Sequence, residues 1–248
     1  MYTNATAVNP ALTARRRTRR VRFAAAALAL CGVILQSLGC AGEAPVAIPP
    51  PVLDNPKAPG AVQTAVLAGG CFWGVQGVFE HVNGVKRVLA GYSGGDKRTA
   101  EYERVSNGDT GHAESVQIVF DPQQISYGEI LQVFFSVAHD PTQLNRQGPD
   151  TGTQYRSVIF YGDDTQKQIA HAYIAQLDKA RVFRAPIVTR VDFGKGFYPA
   201  ETYHQDFLLK NPSHPYIVFN DLPKIRALQS TLPTLYRGAP VTVAMNGP

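Results

Sequence analysis

Between Thr64 and Leu209 the apolar residues change period repeatedly, from strand alternation to helical spacing and back, and this succession restricts the fold more than any other feature. Thr64 to Ala68 reads as a short buried strand, Gly69-Gly70 as a turn, and Cys71 to Val82 as a helix with Val75, Val78, Phe79 and Val82 on one face. Val85 to Tyr92 is a second strand, Ser93 to Gly111 a long polar loop, and Glu114 to Phe120 a strand in which Val116, Ile118 and Phe120 alternate with polar residues. Ser126-x-x-Glu129 is a capping box that opens a helix from Tyr127 to Ala138, and Pro141 ends it ahead of a second polar loop, Thr142 to Gln154. Strand Arg156 to Tyr161, helix Asp164 to Arg181, strand Ile187 to Phe193 and helix Glu201 to Leu209 follow. This order predicts an α/β (α+β) domain, a two-layer mixed sheet with packed helices and a ferredoxin-like core.

The ends of the chain have other compositions. Six arginines, Arg15, Arg16, Arg17, Arg19, Arg20 and Arg22, precede Cys40 and no acidic residue does, so the formal charge of +5 belongs to this segment. The remainder is close to neutral, which argues against nucleic acid as a partner. The apolar run from Phe23 to Leu38 is shorter than the roughly 18 residues expected of a spanning helix and stops at Gly39-Cys40. Residues 1–40 therefore read as a secretory signal, and Leu35-Gln36-Ser37-Leu38-Gly39-Cys40 resembles a bacterial lipoprotein signal with Cys40 as the lipidated residue. The alternative is a plain signal peptide cut nearby. Thr18 to Phe23 also looks like a twin-arginine signal with its Phe displaced. Residues 41–63, with prolines at 45, 49, 50, 51, 56 and 59, read as a stiff spacer. Residues 64–220 read as the folded domain, and 221–248 as a loosely attached extension.

Cys71 is the only cysteine of the body, since Cys31 lies within the apolar run and Cys40 at its end, so neither a disulfide framework nor a multi-cysteine metal site can be built there. At a strand-to-helix junction the unpaired N–H groups and the helix dipole favour thiolate over thiol. An inert buried cysteine is the competing explanation. The neighbours decide between them, because Gly70-Cys71-Phe72-Trp73-Gly74 sets two large aromatics, one of them the chain's single Trp, beside the thiol.

That pentapeptide resembles the signature of the peptide methionine sulfoxide reductase A family. Ala90 to Gly95, Asn107 to Glu114, His139-Asp140-Pro141 and Gly152 to Ser157 resemble further family motifs in the family's order, over about Thr64 to Pro212. The resemblance implies that Cys71 is the nucleophile and becomes a sulfenic acid, that Phe72 and Trp73 wall an apolar pocket for the substrate methyl, and that Glu114 protonates the sulfoxide oxygen. It implies that Tyr102 and Tyr155 hydrogen-bond that oxygen, that Asp150 supports the site through hydrogen bonds, and that the S epimer is preferred. The chemistry stands without the name: a sulfoxide needs donors on one side and aromatic carbon on the other, and its oxygen leaves only once protonated. Seen singly, Glu114 would be a solvated strand end, Tyr102 a surface residue and Tyr155 a core tyrosine.

The sequence departs from many family members in having no cysteine after Cys71. Regeneration then calls for no bound cofactor and for an external thiol reductant, thioredoxin-like or small, attacking the sulfenic acid; Cys40, if unlipidated, is a second route. Expected partners are oxidised peptides or proteins and the reductant, with the membrane engaged only through Cys40, an envelope or periplasmic location, and a monomer as the default. Two rivals remain at this level, a cysteine hydrolase using His112 or His139 as base, and a non-catalytic envelope lipoprotein with Phe72 and Trp73 as a binding patch. His112-Ala113-Glu114 opens a zinc-deaminase pattern whose P-C-x-x-C half is absent.

Overall fold

The computed structural model describes residues 48–243. In chain order the elements are β1 (Gln63–Gly69), α1 (Phe72–Glu80), β2 (Val85–Ser93), α2 (Tyr102–Val105), β3 (Ala113–Phe120), α3 (Tyr127–Val133), β4 (Arg146–Gln147), β5 (Asp150–Thr151), β6 (Ser157–Tyr161), α4 (Asp164–Ala180), β7 (Arg190–Phe193), β8 (Phe197–Pro199), α5 (Phe207–Lys210) and α6 (Leu222–Thr231). The signal, Cys31 and Cys40 lie outside the described residues.

One sheet runs β7-β6-β1-β3-β2-β8. Its four central strands, β6-β1-β3-β2, are all antiparallel to their neighbours and are linked as β-α-β-β-α-β, the split arrangement expected of a ferredoxin-like core. β7 adds in parallel beside β6 after the α4 crossover, and β8 adds antiparallel to β2. The pleat separates two apolar sets along β1. Ala65 and Leu67 join the main core with Val75, Val78 and Phe79 of α1 and Ile130, Leu131 and Phe134 of the α3 segment, while Ala68 and Val66 belong to a small cluster with Ala113, Val158 and Phe160.

The capping box forms as the spacing predicts, with the Ser126 hydroxyl accepting from Glu129 N and the Glu129 carboxylate accepting from Ser126 N. The helix then widens to a π-type turn over Phe134–Ala138 before the His139-Asp140-Pro141 stop. The helix expected from Glu201 to Leu209 is broken instead into a 3-10 turn, Thr202–His204, and α5. Gln205 spends its side chain on the main chain of Ala90 at 2.9 Å in both directions, and Asp206, at φ 55°, gives its N–H to Gln76. These long-range bonds replace the helical ones. The strand expected from Ile187 begins only at Arg190, because Val188 N–H is drawn to Pro141 O at 2.8 Å.

Two segments behave differently from the sequence expectation. The proline-rich stretch, read as a spacer, is laid against the domain from Ile48 to Ala58. Ile48 is buried, Gln132 donates to its carbonyl, Tyr173 and Gln176 hold Pro49, Pro50 and Val52, Asp54 bonds Ser126 and Gly128 N, and Lys57 pairs with Glu129 at 2.8 Å. Proline denies this stretch regular structure, yet its free carbonyls suit side-chain donors on α3 and α4. The extension after Asn220 is also integral: Leu228 of α6 is fully buried, Asp221 likewise, and Tyr236 bridges to Val82.

Candidate active site

Cys71 caps α1 from the outside, at φ −50° and ψ 120°, directly after β1 and Gly69-Gly70. Gly70 has φ +89°, and a Cβ there would lie 2.4 Å from Cβ of Gln147. The glycine thus lets the β4–β5 hairpin, which carries Asp150, close over the cysteine turn. Gln147 secures that hairpin by bonding both N–H and C=O of Asp140.

Cys71 is partly accessible, and the groups acting on its sulfur are Glu114 from β3, Asp150 from β5 and Asp221 at the head of α6. Burial, then the charges of Glu114 and Asp221, push the thiol well above its usual range, and the Trp73 N–H beside it opposes this without prevailing. The helix start was expected to favour thiolate over thiol; burial first, then the carboxyls around the sulfur, instead raise the Cys71 thiol.

Glu114 is 4 % exposed at the start of β3, and its Oε2 accepts from Phe72 N at 3.0 Å. Burial raises its carboxyl to about 8, against the Phe72 bond, which favours the ionised form. It is an acid that keeps its proton at neutral pH. Tyr102 and Tyr155 both feel the charges of Glu114 and Cys71, and burial raises both phenols. Asp150 accepts a hydrogen bond from Tyr216 Oη. The structure thus draws Cys71, Glu114, Tyr102, Tyr155 and Asp150 into one cluster, with Phe72 and Trp73 on its α1 side.

Phe72 is buried among Tyr92 and His204. Trp73 stacks on Phe207 at 3.8 Å between centroids, meets the edges of Tyr216 and His214, and donates from Nε1 to His204 Nδ1 at 3.1 Å. Glu201 ties the cluster together, accepting from Tyr92 Oη and from Tyr102 N, each at 2.9 Å, which fixes the start of α2 and so Tyr102. His204, Phe207, Tyr216, Glu201 and Asp221 were not legible as site residues. They lie far along the chain from Cys71, and nothing in their local spacing carries a chemical pattern.

His139 and His112 are not bases for Cys71. The ring nitrogens of His139 face Phe134 O and Thr189 Oγ1, and those of His112 face Asp96 O and Gly95 N. A cleft of about 770 Å³ walled by Arg156, Arg190, Phe193 and Lys195 includes neither Cys71 nor Glu114 and lies apart from the cluster.

The family model described as peptide methionine sulfoxide reductase matches residues 63–234. A peptide methionine sulfoxide reductase MsrA 2 of Mesorhizobium japonicum is 62% identical over 191 residues, covering 77% of this chain and 97% of the relative. Among solved structures, reduced Mxr1 from Saccharomyces cerevisiae superposes with a TM-score of 0.55 at 34% identity, over 66% of this chain and 92% of the yeast one. Methionine sulfoxide reductase A of Corynebacterium diphtheriae gives 0.53 at 33%, over 69% and 90%. A match running from β1 through α6, joined to that identity and to a shared overall fold, means that the chain belongs to the peptide methionine sulfoxide reductase family, thiol-dependent oxidoreductases that return oxidised methionine to methionine.

Proposed function

We propose that this peptide-methionine (S)-S-oxide reductase works through Cys71 as nucleophile and Glu114 as general acid. The sulfoxide methyl enters against Phe72 and Trp73, and the oxygen is held by the phenols of Tyr102 and Tyr155. The Cys71 thiol gives up its proton and its sulfur attacks the sulfoxide sulfur, forming an S–S bond. The Glu114 proton passes to the oxygen. The S–O bond then breaks, hydroxide adds to the Cys71 sulfur as the S–S bond breaks with its electron pair left on the substrate sulfur, giving a sulfenic acid and methionine, and the proton lost by the thiol ends on Glu114. Cys71 is oxidised and the substrate sulfur reduced by two electrons.

The observation that carries this reading is the Phe72 N–H bond to Glu114 at 3.0 Å, which fixes a buried acid at the α1 start beside the thiol. It engages one oxygen and leaves the other for the proton. Fixed seats for oxygen and methyl also distinguish epimers, because exchanging the two would bury a methyl among donors.

Cys71 is the free cysteine of the described residues. The second half-reaction accordingly uses an outside thiol, a thioredoxin-like protein or a small dithiol: one sulfur displaces water from the sulfenic acid, and the second releases Cys71 as thiol and leaves as a disulfide. For the whole chain we propose export and lipid anchoring at Cys40, on the arginine-rich signal and the Leu35 to Cys40 segment, with action as a monomer on oxidised proteins outside the cytoplasm.

The test is incubation of residues 41–248 with mixed epimers of a peptide methionine sulfoxide and excess dithiothreitol, followed by chiral chromatography. Loss of only the S epimer, abolished in Cys71→Ser, is expected. Equal loss of both epimers, or activity surviving Cys71→Ser, overturns the reading.

A further inference from the structure

His204 stands between the two seats assigned to the substrate. It is 2% exposed, and its ring centroid lies 5.0 Å from Phe72, 5.9 Å from Trp73, 4.4 Å from Tyr102 and 4.2 Å from Tyr203. Phe72 and Trp73 form the methyl side and Tyr102 the oxygen side, so one imidazole packs against both. The turn that carries it is fixed at either end. Glu201 accepts from Tyr92 Oη and Tyr102 N at 2.9 Å, and Gln205 exchanges hydrogen bonds with the main chain of Ala90 at 2.9 Å.

The hydrogen bond between the rings settles where the imidazole proton is. An indole N–H only donates, so His204 Nδ1, at 3.1 Å from Trp73 Nε1, accepts, and the proton of the neutral ring is on Nε2. Nε2 is buried and has no hydrogen-bond partner among the described residues. A buried donor without an acceptor is unfavourable, so a ring needed only to fill this space would carry no nitrogen. What the nitrogen supplies is an acceptor for Trp73. The indole is otherwise held by ring contacts, face-on by Phe207 at 3.8 Å and edge-on by Tyr216 at 5.8 Å and His214 at 6.2 Å. Among the described residues, His204 Nδ1 is the one hydrogen-bond partner of the indole.

We propose that His204 is a positioning residue of the reductase reaction, setting the plane of Trp73 against the oxygen seat at Tyr102, and that it does so only as the neutral Nε2–H tautomer. A second proton goes to Nδ1, sets one N–H against another and removes the restraint on the indole. The wall then no longer fits the methyl, and affinity and epimer discrimination fall together. Burial holds the imidazole below its ordinary value of 6.5, opposed by the Glu201 carboxylate, so the neutral ring prevails at pH 7. The phenols of Tyr102 and Tyr203 are the other titratable groups packed against it. This rests on the methyl seat given above to Phe72 and Trp73.

Trp73 is the chain's single Trp, so its indole N–H gives one resonance in ¹⁵N-labelled protein. At about pH 8 the signal should lie downfield, as a hydrogen-bonded N–H does, and exchange slowly with solvent. Below pH 6.5 it should move upfield with the same midpoint as the His204 ring protons. His204→Asn, whose amide oxygen replaces Nδ1 as acceptor, should keep the downfield signal throughout, His204→Phe should lose it, and His214→Gln should leave the titration in place. In single turnover at about pH 8, His204→Phe should raise the half-saturating concentration of the S sulfoxide about tenfold, the lower range for one methyl group in an apolar pocket. The limiting rate should change by about threefold or less, the preference over the R epimer should shrink, and His204→Asn should restore both. An indole signal independent of pH overturns the proposal, as does unchanged saturation in His204→Phe while Trp73→Ala weakens it. Where Trp73→Ala leaves saturation unchanged too, the methyl seat falls and this inference with it, whatever the indole signal does. Should His204→Phe unfold, the indole titrations of the parent and of His204→Asn decide.

Discussion

In the proposed reaction Glu114 divides its work between two oxygens, one accepting from Phe72 N and one meeting the substrate, and burial, opposed by that hydrogen bond, raises its carboxyl. The sign is definite. Its carboxyl titrates near 8 in the folded protein rather than at the usual 4.5, so the acid form is present at pH 7 and is lost as pH rises through about 8. Infrared difference spectra between the parent and Glu114→Gln should show a carboxylic acid band that persists at pH 7 and disappears by about two units above the midpoint. A band already gone at pH 6 contradicts the assignment. Removing the acid should lower single-turnover reduction by about 10² to 10⁴-fold with little change in binding, the usual range for a general acid. At this scale the sequence supplied Cys71, Phe72 and Trp73 through one local motif. Glu114, Tyr102, Tyr155 and Asp150 became readable as a group only by resemblance, because each alone fits an ordinary structural role. Tyr216 and Asp221 escaped altogether, since their chemistry comes from what lies opposite them.

The C-terminal element was misjudged for an instructive reason. Its prolines suggested a loose tail, yet Pro223 sits in the first turn of α6, where no N–H is required, and the helix places Leu228 in the core. Leu228→Ala should cost about 2 to 5 kcal/mol in urea unfolding, as a buried leucine does. A loss below about 0.5 kcal/mol would return the segment to the status of a tail. A second buried link joins α1 to the α5 segment. Glu80 faces Asp206, and burial, reinforced by that neighbour, raises its carboxyl to about 9. Unfolded, Glu80 ionises near 4.5; folded, it keeps its proton to about 9, so folding takes up a proton in between and stability falls as pH rises through this window. Glu80→Gln, which needs no proton, should therefore lose less melting temperature than the parent between pH 5 and 8.5. Identical slopes would mean that Glu80 is charged in the folded protein.

At the scale of the whole molecule, the proposed mechanism with a single body cysteine makes the enzyme a one-shot reagent until an outside thiol acts. Mixed with excess peptide methionine sulfoxide and no reductant, residues 41–248 should release one methionine per chain and leave one dimedone-reactive sulfenic acid on Cys71. Addition of a dithiol should restore continuous turnover. Release of more than one equivalent without reductant would show a route that this chemistry does not contain. The docked stretch from Ile48 to Ala58 also changes how any anchor at Cys40 is connected to the domain, because a segment hydrogen-bonded to α3 and α4 is part of the body and adds nothing to the reach of a tether.

The sequence by itself determined the order of the central strands β1, β2, β3 and β6 and of helices α1, α3 and α4, the capped start of α3, the turn that presents Cys71, and the class of chemistry a lone thiol flanked by aromatics can perform. These are local matters, set by side-chain period, by cap geometry and by glycine at positive φ, and they reach only a few residues along the chain. Tertiary structure alone decided that Gln205 and Asp206 break a helix, that prolines from 49 to 56 lie on the body, and that Glu114 holds a proton while Cys71 rests as a thiol. Each of those outcomes depends on desolvation and on charges brought in from distant elements, and such terms have no value until the chain has folded around them.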